Sequence, residues 1–85
     1  MRKEIAIYQV KDFENTNTVE QAIDKHFMFT TRIILNETKK AYELAGNAII
    51  MSNTKGKWVA KSMLKKIGNM ASGMEAYAIP MFINL

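Results

Sequence analysis

The chain has 85 residues, enough for one domain spanning 1–85, and its 12 Lys and Arg against 8 Asp and Glu give a formal net charge of +4. It has no Cys and one His, which excludes disulfides and thiolate metal sites, so no metal or cofactor is predicted. A core this small often needs a further source of stability. Because 48% of the residues are apolar, we expect that source to be self-association.

The hydropathy pattern also limits where the protein is expected to act. The first residues, MRKEIAIYQVKDFE, lack the apolar stretch of a secretory signal, and no run approaches the roughly 20 apolar residues of a membrane helix. We therefore expect a cytoplasmic protein without a membrane span, and a basic amphipathic segment at a membrane surface is a less favoured alternative. The abundant Ile, Lys and Asn have AT-rich codons, which is typical of many phage genomes.

The chain begins with a predicted strand. Lys3–Val10 is short and rich in Ile, Val and Tyr, as strands usually are. Its apolar residues fall on both sides of the strand, with Ile5 and Ile7 on one side and Tyr8 on the other. A strand with two apolar sides is expected to be covered on both.

A long helix is predicted next. Thr18-Val19-Glu20-Gln21 has the pattern of a capping box, so the helix should begin at Val19. Apolar residues at helical spacing then continue to Met51. A helix of that length would span about 50 Å, although a compact domain of this size is only about 30 Å across. The helix should therefore break, near Asn36 or Gly46, or project into a partner.

The second half of the chain predicts a shorter helix over Lys57–Ala71, with an apolar stripe that includes Val59, Met63 and Ile67. The apolar end, Ala76–Leu85, is predicted to be extended and docked against the N-terminal strand. The expected fold is mainly α (α+β), in the order β-α-α-β. The long N-terminal helix and the shorter basic amphipathic helix form an α-hairpin, and the two chain ends are short extended segments.

The second predicted helix carries the clearest charge pattern. Between Glu43 and Glu75 there is no acidic residue, while lysines recur every four residues on one predicted helical face. Such lysines repel one another, and an anionic partner would relieve the repulsion. A solvated polar face with Trp58 in the core is the competing interpretation. The predicted anion- or partner-binding residues are Arg32, Lys57, Trp58, Lys61, Lys65 and Lys66.

The broad apolar face of the first predicted helix is assigned to self-association. His26 is predicted to be a hydrogen-bonded core or interface residue, and Glu37 to need a cationic partner. No Gly-rich phosphate loop, nucleophile elbow or metalloprotease motif is present, so no catalytic residues are predicted. The predicted oligomer interface consists of Phe27, Ile34, Ala41, Ala45 and Ala48.

Together these features predict a small non-catalytic binding or regulatory protein that forms homo-oligomers. It would act by occupying or sequestering a partner, as phage-encoded or mobile-element-encoded inhibitors do. The expected partner is an acidic protein surface or an anionic, nucleotide-like ligand. The alternative is a nucleic-acid-binding protein that uses the Lys57–Lys66 helix and whose affinity falls steeply with salt.

Overall fold

A computed structural model describes residues 3–45 and 56–83 of the chain. In that part the protein is mostly β, with 55% strand and 14% helix, so the prediction of a mainly helical protein is wrong. A 3₁₀ turn spans Lys61–Met63. The elements are β1 (Lys3–Val10), α1 (Val19–Lys25), β2 (His26–Glu37), β3 (Ala41–Leu44), β4 (Lys57–Ala60), β5 (Lys65–Asn69) and β6 (Glu75–Pro80).

The six strands form one mixed sheet in the order β4-β3-β2-β1-β6-β5. β1 pairs antiparallel with β2 on one side and parallel with β6 on the other. The remaining pairs are all antiparallel. The strands nearest the two chain ends, β1 and β6, therefore lie side by side within the sheet, as expected for an apolar C-terminal segment that docks on the N-terminal strand.

The sheet is strongly curled. β4 and β5 are the two outermost strands, yet only residues 61–64 separate them in the chain. Six flat strands would place these two about 24 Å apart, whereas the five Cα–Cα steps from Ala60 to Lys65 reach at most about 19 Å, and less with a 3₁₀ turn among them. The sheet must therefore curl until its two edges approach each other.

The curl gives the sheet an inner and an outer face, each with its own apolar cluster. The inner cluster draws residues from β1, β3, β4, β6 and the residue before β5, and consists of Ile5, Ile7, Leu44, Val59, Leu64, Tyr77 and Ile79. The outer cluster lies under α1 and consists of Ala6, Tyr8, Val10, Ala22, Ile67, Ala76 and Ala78. β1 contributes to both clusters, which confirms that it is a strand covered on both sides.

The first helix begins where it was predicted but ends after two turns. Thr18 accepts a hydrogen bond from the Gln21 amide at 3.1 Å, as an N-cap residue does. From His26 onward the chain becomes β2, because six of the nine residues from His26 to Ile34 are aromatic or β-branched. Such residues favour a pleated, half-buried strand over a helix.

The predicted helix over Lys57–Ala71 is also wrong. This segment forms β4, the 3₁₀ turn and β5. Its apolar stripe does not lie on one surface, since Val59 belongs to the inner cluster and Ile67 to the outer one. The four-residue spacing of its apolar residues thus arises from two strands on opposite edges of the sheet. In the described part there is neither a basic helix nor an α-hairpin.

Two further predictions depend on residues beyond the described ranges. The break at Gly46, the interface residue Ala48 and the helix end at Met51 all lie outside them. Asn36, the other predicted break, lies within β2. None of the helices that the structure describes has the length and apolar character needed to cross a membrane.

Candidate functional site: the exposed edge of strand β2

β2 has more described residues than either strand that flanks it. Its twelve residues pair with β1 from His26 to Ile34, but β3 pairs only with Ile34, Asn36 and Glu37. One more bond joins the Ala45 amide to the Ile33 carbonyl at 2.8 Å. No described residue pairs with the other edge of β2 between residues 26 and 32. We call this stretch the open edge of β2.

The open edge is bordered by large exposed apolar side chains. Phe27 is 58% exposed, Met28 53%, Phe29 44% and Ile33 36%. Ile23, on the last turn of α1, is exposed beside the start of the same strand. Single exposed apolar residues are ordinary, but several adjoining ones typically mark an interaction surface.

The first half of β2 is held in place by contacts with β1 and α1. On the outer face the Tyr8 ring contacts the ring of Phe29 at a centroid distance of 4.8 Å and that of His26 at 5.3 Å. His26 Nδ1 also donates to the Ala22 carbonyl at 2.9 Å, so this histidine is anchored to the end of α1. These contacts fix the first half of β2 against β1.

Arg32 is the only Lys, Arg, Asp or Glu residue between His26 and Ile33. Its guanidinium bonds to the strand itself, donating to the Thr31 carbonyl at 3.0 Å and to the Thr30 hydroxyl. The predicted anion-binding arginine is therefore turned toward its own backbone. With its one charge engaged in this way, the open edge is suited to an apolar, extended partner.

The predicted basic residues lie on several elements and mostly have partners. Lys57 and Trp58 are on β4, whereas Lys61 begins the 3₁₀ turn and forms an ion pair with Glu37. Its ammonium also lies 4.7 Å from the centroid of the Tyr42 ring. Trp58 is about half exposed, beside Glu43 in the strand register.

The two lysines of β5 point to different places. Lys65 bonds to the loop between β1 and α1, where it donates to the Phe13 carbonyl and to Asn17 Oδ1 at 3.1 Å. Lys66 donates to Glu75 at 3.1 Å. The lysines thus do not form the single row that a helix would have presented. Nucleic-acid binding through them stays a prediction.

The predicted interface residues are also spread out. Phe27 lies on the open edge and Ile34 packs against the inner cluster. Ala41 begins β3, and Ala45 follows its end, next to Ile33. Of the four described residues predicted for self-association, Phe27 is therefore the one within the open edge. Met28, Phe29 and Ile33 were missed because the helical reading gave no reason to single them out.

A group of charged and phenolic side chains lies where β1, β5 and β6 meet. Glu75 forms ion pairs with Lys3 and Lys66, and Tyr77 donates to it at 2.9 Å. Hydrogen bonds from Lys3 and then from Tyr77 lower the pKa of Glu75 to about 2. Burial, together with the Glu75 carboxylate, raises the pKa of Tyr77. This group stabilises one end of the sheet, and both of its lysines are paired with the one carboxylate of Glu75.

A cleft of about 480 Å³ lies at the carboxyl ends of the parallel strands β1 and β6. It is lined by Lys11, Asp12, Phe13, Glu14, Met63, Pro80, Met81 and Phe82. The Asp12 carboxylate already accepts two bonds from the Asn15 amide group, at 3.0 and 3.1 Å. Within the described residues no buried side-chain nitrogen or oxygen lacks a partner, so no such atom is left to orient a ligand here.

Among residues 3–45 and 56–83, no three His, Cys, Asp or Glu side chains come together as a group that could hold a metal ion. Comparison of the chain with protein-family models, with curated proteins and with solved structures found no match. The open edge of β2 is therefore assigned as the candidate site on its own geometry.

Proposed function

We propose that this protein is a non-catalytic binding protein that captures an extended polypeptide segment along the open edge of β2. The observation that carries the proposal is the combination of a strand edge unpaired by any described residue with the exposed side chains of Phe27, Met28 and Phe29. A cytoplasmic location and a regulatory role, in which the protein occupies its partner, belong to the same proposal.

The physical basis is strand addition. An exposed sheet edge offers backbone N–H and C=O groups to an incoming strand, and those hydrogen bonds supply affinity. Alternate side chains of the incoming strand would then meet Phe29 and Thr31, which lie on the outer face opposite Tyr8 and Ala6 in the register. Apolar contacts at those positions would give the site its preference among sequences.

A polypeptide partner is favoured over an anionic one by the distribution of charge. Lys61, Lys65 and Lys66 each bond to an oxygen of this chain, so binding an anion would first have to break those contacts. The open edge itself carries only the charge of Arg32, which bonds to Thr30 and Thr31. An apolar strand can bind there without displacing any ion pair.

The proposal can be tested with peptides. Nine-residue peptides selected from a displayed random library against the wild-type protein should alternate apolar and polar residues, as strands do. Fluorescence anisotropy would then measure their binding to Phe29→Glu and to Phe82→Ser. We expect Phe29→Glu to weaken binding at least about tenfold, and Phe82→Ser, which changes an apolar residue that is 76% exposed elsewhere, to leave binding unchanged.

A second variant isolates the backbone contribution. Thr31→Pro removes an amide of the open edge while sparing the hydrogen bonds to β1, because Pro is tolerated at strand edges. It should also weaken peptide binding about tenfold with the fold retained, as judged by circular dichroism. Selected peptides that bind equally well to the wild type and to both β2 variants would refute the proposal.

A further inference from the structure

We draw no further inference here: the strongest candidate, the cleft of about 480 Å³ at the carboxyl ends of β1 and β6, is lined mostly by apolar side chains, and nothing in the structure shows what would fill it, since no buried side-chain nitrogen or oxygen of the described residues lacks a partner.

Discussion

At the scale of single residues, Lys65 is the lysine whose contacts bear most directly on stability. Its ammonium donates to the Phe13 carbonyl and to Asn17 Oδ1, and lies 4.7 Å from the centroid of the Phe13 ring. Hydrogen bonds to charged groups contribute about 1.5–3 kcal/mol. We expect Lys65→Met to lower the free energy of unfolding by about 2 kcal/mol, as measured by urea denaturation.

Lys66→Met provides the matched control for Lys65. Its side chain is about half exposed and forms an ion pair with Glu75, so its loss should cost no more than about 0.5 kcal/mol. Equal losses from the two variants would contradict the structural role given to Lys65. A charge reversal at Lys65 therefore tests stability before it tests nucleic-acid binding.

Glu75 predicts how stability depends on pH. Lys3, Tyr77 and Lys66 hold the pKa of Glu75 near 2, below its usual value of 4.5. The folded protein therefore binds this proton less readily than the unfolded chain does. The resulting stabilisation is complete above pH 4.5 and is lost as the pH falls toward 2.

We expect Glu75→Gln to remove this part of the pH dependence. After solvent screening is allowed for, the free energy of unfolding should fall by about 1–2 kcal/mol more in the wild type than in the variant between pH 6 and pH 2.5. Urea denaturation at both pH values measures the difference, and the other carboxylates cancel because both proteins carry them. An identical pH dependence in the two proteins would show that Glu75 is not stabilised by these contacts.

At the scale of elements, Gly56 marks a close approach between the start of β4 and β3. A Cβ atom there would collide with the Leu44 carbonyl oxygen and lie 2.7 Å from Glu43 Cγ. The Leu44 carbonyl belongs to the backbone and cannot move aside as a flexible side chain can. Gly56→Ala should therefore lower the free energy of unfolding by about 2–3 kcal/mol. Thermal or urea unfolding would measure the loss.

Gly73 serves as the comparison, since a side chain there is disfavoured by the backbone conformation and not by lack of space. It has a φ of 93°, and a Cβ atom there would meet nothing within 4 Å. Gly73→Ala should therefore cost only about 1 kcal/mol, from backbone strain. A larger loss at Gly73 than at Gly56 would mean that β3 and β4 do not approach each other as closely as described.

Local signals explain which elements were predictable. β1 was predicted with its correct bounds because its apolar residues cover both sides, and α1 was predicted to start correctly because Thr18 caps it. β2 was misread as helix because its apolar residues also fit a helical period. Its aromatic and β-branched residues were the signal that should have decided between the two.

At the scale of the whole molecule, the sheet order depends on contacts that no local pattern contains. β1 lies between β2 and β6, and Ala6 pairs with both Thr31 and Ala76. The lysine spacing over 57–65 looked helical only because two strands from opposite edges follow each other in the chain. For the same reason the open edge of β2 could not be predicted, since it is defined by which described residues pair with β2.

The sheet order also predicts where the protein opens first. The amides of Ile5–Val10 lie in a fully buried strand that is paired on both sides, whereas β4 is paired only with β3 among the described residues and is largely exposed. Local openings follow such differences in burial and pairing. Hydrogen exchange followed by NMR should therefore find the β1 amides protected about a hundredfold more than those of Lys57–Ala60. Equal protection would mean that the 3₁₀ turn at Lys61–Met63 binds both edges into one unit that opens only when the whole sheet unfolds.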